Sequence, residues 1–108
     1  MNSKPIALGF IQQKNNEMTE ALGFFKTPYD SALGLSTEVG ELQDIVRKLE
    51  GGKKIKSTDK DSDLKYELSG EIADVLVYLG QIATHYGINL EVAFAMKHAK
   101  IMERKFKN

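Results

Sequence analysis

Residues 35–49, Leu-Ser-Thr-Glu-Val-Gly-Glu-Leu-Gln-Asp-Ile-Val-Arg-Lys-Leu, carry the pattern that decides the fold. Five large apolar residues of this stretch, Leu35, Val39, Leu42, Val46 and Leu49, recur at alternating spacings of four and three. That alternation is typical of a helix that packs along one seam. We therefore predict a helix that is capped by Asp30 or Ser31, runs to about Glu50 and is ended by the two glycines that follow.

Helical periodicity continues on both sides of this segment. A first helix is predicted from about Ile6 to Leu22, with Gly23 as its stop. The polar, lysine-rich residues 53–63 are predicted to form a solvated connection. A third helix is predicted over residues 64–86, capped by Ser62 or Asp63, and a fourth is capped by Asn89. The third has a wide apolar face, which predicts burial on several sides.

No segment alternates with a period of two, and no hairpin signal separates two apolar runs. The predicted fold class is therefore all-α, a four-helix bundle-like domain over residues 1–108. The breadth of the third helix's apolar face predicts that a second subunit completes the core.

The composition of the chain disfavours some classes of partner and excludes some kinds of site. The chain has 108 residues, with fifteen basic and fifteen acidic side chains and no cysteine. A net charge of zero favours neither nucleic acid nor an anionic membrane as a partner. The absence of cysteine excludes disulfides and thiolate metal sites, and it fits a reducing compartment. No apolar leader or stretch of about 20 apolar residues is visible, so we expect a soluble, cytoplasmic protein.

Two acidic pairs stand out on the second and third predicted helices. Glu38 and Glu41 are three residues apart, as are Glu71 and Asp74, so each pair lies on one helical face. At a rise of about 1.5 Å per residue, Glu41 and Glu71 lie roughly 14 and 11 Å from the same connection. Antiparallel packing of the two helices would therefore bring four carboxylates to one level.

Asp74 is the only charged residue between Ile72 and Leu79, so its neighbours along the chain are apolar. This setting disfavours the interpretation that Asp74 belongs to a merely solvated helix face. Carboxylates grouped inside a bundle repel one another unless a proton or a cation compensates them. Four oxygen donors without a nearby histidine suit Mg²⁺, or Mn²⁺ as a substitute, better than zinc or copper. Magnesium often takes its remaining ligands from phosphates, which favours a phosphorylated substrate.

The acidic pairs have two other interpretations. Most acidic pairs on helices are simply solvated, and spacing alone does not separate that reading from a metal site. A di-iron centre of the ferritin type needs Glu-x-x-His pairs. Neither Glu38 nor Glu71 has a histidine three residues later, so the pattern disfavours di-iron chemistry.

The residues around these pairs carry a family resemblance. Three segments, residues 36–42 (STEVGEL), 67–79 (ELSGEIADVLVYL) and 86–91 (YGINLE), resemble the MazG-like branch of the all-α nucleoside triphosphate pyrophosphohydrolases. The similarity continues through Lys97, Lys100 and Arg104 and covers about residues 31–105. It implies a Mg²⁺-dependent enzyme that hydrolyses nucleoside triphosphates, including deoxynucleotides or non-standard ones, to the monophosphate and pyrophosphate.

The resemblance also implies roles for single residues. The metal-binding and catalytic carboxylates of the family match Glu38, Glu41, Glu71 and Asp74. Tyr78 falls where some relatives place an aromatic residue near the nucleotide. The basic positions of the last helix, which bind phosphates in such enzymes, match Lys97, Lys100 and Arg104. Members commonly assemble as homodimers or homotetramers.

Two departures from the family pattern concern the details of the site. Thr37 stands where many relatives have a further glutamate, and Ile101 stands where many have asparagine. The first affects the metal count and the choice of the water-activating residue, for which Glu38 and Glu41 are the candidates. The main alternative function is a non-catalytic helical nucleotide-binding or regulatory protein; hydrolysis with another bond specificity is a third.

Overall fold

The computed structural model describes residues 6–23, 27–51 and 60–106, with side chains as far as Arg104. They form four α-helices: α1 (Leu8–Leu22), α2 (Pro28–Leu49), α3 (Asp61–His85) and α4 (Leu90–Phe106). No strand occurs in these three ranges. The predicted all-α class with four helices is confirmed.

The chain divides into two compact units. The first consists of Met1–Phe25 and Gly80–Asn108, and it contains α1, α4 and the last residues of α3. The second is Lys26–Leu79, and it contains α2 and the rest of α3. All four acidic residues singled out above belong to the second unit.

The start of α2 differs from the prediction. Thr27, and not Asp30 or Ser31, is the N-cap residue, and its hydroxyl accepts a hydrogen bond of 3.1 Å from the backbone N–H of Asp30. Pro28 occupies the first turn, where its fixed φ suits a helix and its missing N–H costs nothing. Asp30 instead places its negative charge in the first turn, at the positive end of the helix dipole.

The predicted cap of α3 was also wrong, because the helix begins earlier, at Asp61. Ser62 and Asp63 therefore lie inside its first turn, and residues 61–63 of the predicted connection are helical. Residues 53–59 of that connection lie outside the described ranges. The predicted cap of α4 is confirmed, since Asn89 Oδ1 accepts a 3.1 Å hydrogen bond from the N–H of Val92.

Glycine ends three of the four helices in a left-handed conformation that other residues rarely adopt. Gly23 has φ 69°, Gly51 has φ 84° and Gly87 has φ 67°. The N–H of Gly23 bonds to the carbonyl of Glu20, and that of Gly87 to the carbonyl of Thr84. The predicted stops of the first and third helices are thus confirmed.

The core of the second unit is small. Ile45 and Leu64 are its buried apolar side chains among the described residues. Within the predicted seam of α2, the three leucines are half-buried while Val39 and Val46 remain exposed. In the single chain Ile72 is 48% exposed and Leu79 is 38% exposed, so the predicted burial of α3 on several sides depends on the predicted second subunit.

In the first unit, the side chain of Gln12 on α1 forms hydrogen bonds with the turn between α3 and α4. Gln12 Nε2 donates to the carbonyl of Ile88 at 2.9 Å and to Thr84 Oγ1 at 3.1 Å. Gln12 Oε1 accepts from the N–H of Leu90 at 3.0 Å. One amide group therefore satisfies a backbone donor and a backbone acceptor at the start of α4, where helix ends otherwise leave such groups unpaired.

None of the described helices combines the length and the apolar character that a membrane-spanning segment needs.

Candidate metal centre

Three carboxylates from α2 and α3 come together inside the second unit. Glu38, Glu71 and Asp74 each offer one oxygen, and these oxygens lie within 4.8 Å of one another. Glu71 and Asp74 are one helical turn apart on α3, so both can reach the same point opposite Glu38. The expectation that the two acidic pairs meet at one level is met for these three residues.

Two oxygens of this cluster are buried without a hydrogen-bond donor. Glu38 Oε2 and Glu71 Oε2 are both shielded from solvent and have no partner among the described residues. A buried, unpaired carboxylate oxygen is costly, so such atoms call for a proton or a cation. Asp74 is exposed, so the cluster is open to solvent on that side. Three converging carboxylates, two of which also have a buried oxygen without a donor, fit a hard divalent cation.

The electrostatics of Glu71 reflect the same crowding. The pKa of Glu71 is raised from 4.5 to about 7, first of all because the carboxylate of Glu38 can accept a hydrogen bond from protonated Glu71. Partial burial and the negative charges of Glu38 and Glu41 also contribute to this rise. Without a cation, the cluster therefore holds a proton at pH values where an ordinary glutamate is ionised.

Glu41 occupies a different position from the other three carboxylates. Its side chain is exposed, and it is not part of the group whose oxygens lie within 4.8 Å. It is nevertheless close enough for its charge to act on the pKa of Glu71. Glu41 thus lies beside the cluster and is available to contact water or a ligand.

The aromatic residue predicted near the nucleotide, Tyr78, is half-buried one turn after Asp74. Its ring packs against α2 at Gly34, where a Cβ would lie 2.6 Å from Cε1 and Cζ of the ring. Gly34 is one turn before Glu38, so this contact forms the next layer along the two helices. The sequence analysis did not identify Gly34; a glycine in a helix interior is the signal that could have done so.

The three basic residues predicted to bind phosphates lie on α4, in the first unit. Lys97, Lys100 and Arg104 are all exposed, and their spacing of three and four places them along one stripe of the helix. Nothing in the described contacts tests their predicted role. The ring of His98 on the same helix stacks on that of Phe94, at 5.9 Å between centroids.

The site can be compared with known protein families. A search among curated proteins gives no match. The model of the MazG nucleotide pyrophosphohydrolase domain matches residues 26–107. This match includes α2, α3 and α4 and all three carboxylates of the cluster. Because it extends over most of the chain, and the fold is all-α as the family requires, the chain belongs to the MazG nucleotide pyrophosphohydrolase domain family.

Proposed function

We propose that this protein is a Mg²⁺-dependent nucleoside triphosphate pyrophosphohydrolase. The observation that carries the proposal is the cluster of Glu38, Glu71 and Asp74, with two buried carboxylate oxygens that lack a donor. The family relationship supports nucleotide hydrolysis, and the oxygen-only donor set supports Mg²⁺, with Mn²⁺ as a substitute. The substrate is a nucleoside triphosphate, which includes deoxynucleotides or non-standard ones.

In this proposal the three clustered carboxylates hold the metal. A bound Mg²⁺ neutralises the phosphate charge, stabilises the leaving group and lowers the pKa of bound water. Without such compensation, a triphosphate would be repelled by the acidic side chains of α2 and α3. Glu38 and Glu71 hold the site from its buried side, and Asp74 holds it from its open side.

The proposed reaction is hydrolysis at the α-phosphorus. The oxygen of water forms a bond to that phosphorus, the bond to the bridging oxygen of the β-phosphate breaks, and pyrophosphate leaves. The proton released by water passes to a carboxylate. Of the two candidates, Glu41 suits this role better than Glu38, because Glu41 is exposed beside the cluster and Glu38 lies within it.

The remaining predictions complete the proposal. Tyr78 contacts the nucleoside, and the basic residues of α4 (Lys97, Lys100 and Arg104) neutralise the outer phosphates. The chain assembles as a homodimer or homotetramer, which agrees with the small number of buried apolar side chains in the described residues. A cytoplasmic location accords with the lack of cysteine.

The proposal is tested by incubating the protein with a panel of nucleoside and deoxynucleoside triphosphates and Mg²⁺, and separating the products. We expect monophosphate and pyrophosphate in equal amounts. Asp74→Asn and Glu41→Gln should lose at least about a hundredfold in kcat/KM, as removal of a catalytic carboxylate commonly does. Glu20→Gln, an exposed position on α1, is the matched control and should keep full activity.

Different products would favour the alternatives. Diphosphate and phosphate would indicate cleavage at the next bond. Nucleotide binding without turnover by the folded, Mg²⁺-loaded protein would contradict the enzyme and support the non-catalytic binding protein.

A further inference from the structure

The first unit contains an open groove of about 330 Å³ that the proposed mechanism does not use. Small-molecule sites have volumes of about 300–1,000 Å³, so this groove has room for one small ligand. Carboxamide side chains make up much of its lining, and it is called the amide groove below. The lining comes from α1 and from the segment that joins α3 to α4: Gly9, Gln12, Gln13 and Asn16 on α1, then Thr84 and residues 87–89.

The family relationship assigns no role to the α1 side of the amide groove. The family model matches residues 26–107, and α1 ends before that range, at Leu22. All described lining residues belong to the unit of Met1–Phe25 and Gly80–Asn108, whereas the carboxylate cluster belongs to the other unit. The chemistry of the groove therefore has to be inferred from its own side chains.

A chain of hydrogen bonds fixes which polar atoms of the groove are already engaged. Gln12 Nε2 donates to Thr84 Oγ1 at 3.1 Å, so the hydroxyl of Thr84 donates its own hydrogen to Asn16 Oδ1, at 2.9 Å. Asn89 Oδ1 accepts from the N–H of Val92. The side-chain oxygens of Asn16 and Asn89 are thus in use, while no acceptor among the described residues bonds to their N–H groups.

Gln13 contributes a complete amide to the same groove. Gly9, Gln13 and Asn16 are spaced by four and three residues, so they lie on one face of α1. Gln13 is exposed, and neither end of its amide has a hydrogen-bond partner in the described part of the chain. The groove therefore offers N–H donors from Gln13, Asn16 and Asn89 and a carbonyl acceptor from Gln13. Its complement is a ligand with more acceptors than donors.

The charge around the amide groove disfavours an anion. None of the described residues that line it is charged. The carboxylate of Glu91 lies at its edge, where Oε1 accepts a 3.2 Å hydrogen bond from the N–H of Gly9. A phosphate or carboxylate in the groove would be repelled by Glu91 and would find no cation in the described lining. We therefore expect a neutral ligand.

We propose that the amide groove binds a neutral cyclic imide, the C=O, N–H, C=O edge that uracil and thymine present. The carbonyl of Gln13 accepts from the imide N–H and its N–H group donates to one imide carbonyl. An asparagine N–H group donates to the other carbonyl. Cytosine and adenine carry an amino group in place of an imide carbonyl, so they would set a donor against a donor. The choice of a nucleoside as the carrier of the imide rests on the proposed function.

Binding of uridine to the full chain, without metal and without turnover, tests the proposal. In isotope-labelled protein, nuclear magnetic resonance should show shifts of the side-chain amide signals of Gln13, Asn16 and Asn89. The signal of Gln43, which is exposed on α2, should stay in place. Cytidine, and uridine methylated on the imide nitrogen, should bind at least about fivefold more weakly, which is the effect of one lost hydrogen bond.

Two variants separate recognition from folding. Gln13→Ala should raise the Kd for uridine at least about fivefold. Asn16→Asp keeps an oxygen for the hydroxyl of Thr84 but replaces the N–H donor by a charged oxygen, so it should weaken binding as well. Gln43→Ala is the matched control and should leave the Kd unchanged. Circular dichroism confirms that each variant is helical. Absence of uridine shifts in the wild-type protein, or an unchanged Kd in both groove variants, would overturn the proposal.

The imide can belong to a free nucleoside or to the base of a triphosphate substrate, and kinetics distinguish the two sources. If the groove holds the substrate's base, Gln13→Ala should lower the ratio of kcat/KM for UTP to that for CTP at least about fivefold. If it holds a free nucleoside, this ratio stays constant while uridine binding weakens. Either result supports an imide site. Uridine binding without hydrolysis of any nucleotide contradicts only the proposed function, and hydrolysis without uridine binding contradicts only this inference.

Discussion

The ring of Tyr78 occupies the space that a side chain at Gly34 would need. A Cβ on Gly34 would lie 2.6 Å from two ring carbons and 2.8 Å from the hydroxyl oxygen, closer than real Cβ atoms come to other heavy atoms. Glycine costs up to about 1 kcal/mol relative to alanine inside a helix. This close approach gives the glycine a structural reason, because it lets α2 and α3 pack tightly one turn from the carboxylate cluster.

The first prediction concerns this contact. Gly34→Ala should lower the free energy of unfolding by about 1–2 kcal/mol, because overpacking outweighs the gain in helix propensity. Gly40→Ala is the matched control on the same helix, since a Cβ there meets nothing within 4 Å. It should stabilise the protein by up to about 1 kcal/mol. Denaturant unfolding of both variants measures the difference, and equal effects would show that the ring does not constrain residue 34.

The second prediction concerns metal binding and pH. Glu71 has a pKa of about 7 without metal, so a cation that binds its carboxylate below that pH must displace a proton. The affinity for Mg²⁺ should therefore rise with pH, by up to tenfold per unit, and become nearly constant above about pH 7. Calorimetric titration in buffers of different ionisation enthalpy also counts the protons released. Glu71→Gln should bind Mg²⁺ more weakly and without this pH dependence; an unchanged dependence would exclude Glu71 as its source.

The third prediction concerns stability without metal. The folded protein keeps a proton on Glu71 up to a pH of about 7, whereas the unfolded chain releases it near 4.5. The folded state thus binds more protons in this interval, and its stability falls as the pH rises from about 4.5 to 7. The stability of Glu71→Gln should lack this fall, so the variant should have a higher Tm than wild type at about pH 8 in a chelator. Glu20→Gln is the control and should keep the wild-type slope.

The fourth prediction concerns the amide group that joins α1 to the start of α4. Gln12→Ala removes three hydrogen bonds and leaves the carbonyl of Ile88 and the N–H of Leu90 without this partner. The free energy of unfolding should fall by about 1–3 kcal/mol. Gln13→Ala, at the neighbouring exposed position, should change it by less than about 0.5 kcal/mol. Equal losses in both variants would contradict the role of Gln12.

The sequence predicted the helices well because local signals mark them. Periodic apolar residues and the stops at Gly23 and Gly87 identify helices from short windows of sequence. The cap of α2 was missed because Thr27, Asp30 and Ser31 are all suitable cap residues, and only the backbone path selects among them. The early start of α3 was missed for a related reason, since polar residues fit both a connection and a solvated first turn.

The site was predictable in part. The spacing of Glu38, Glu71 and Asp74 on two helices, combined with the assumption of antiparallel packing, predicted that these residues come together. The position of Glu41 outside the cluster depends on small rotations of the helices, which a count of residues does not provide. Gly34 and Gln12 make their contacts with residues far away in sequence. A glycine inside a helix marks the first position, but no local pattern identifies the partner of either residue.

The carboxylates of the acidic cluster, Glu38, Glu71 and Asp74, all belong to the unit formed by Lys26–Leu79, while α1 and α4 belong to the other unit. This distribution bears on how the protein can change by mutation. Substitutions in α1 and α4 leave all three carboxylates in place. The preference for one nucleotide over another can therefore change by substitutions in α1 and α4 while the acidic cluster of α2 and α3 is kept.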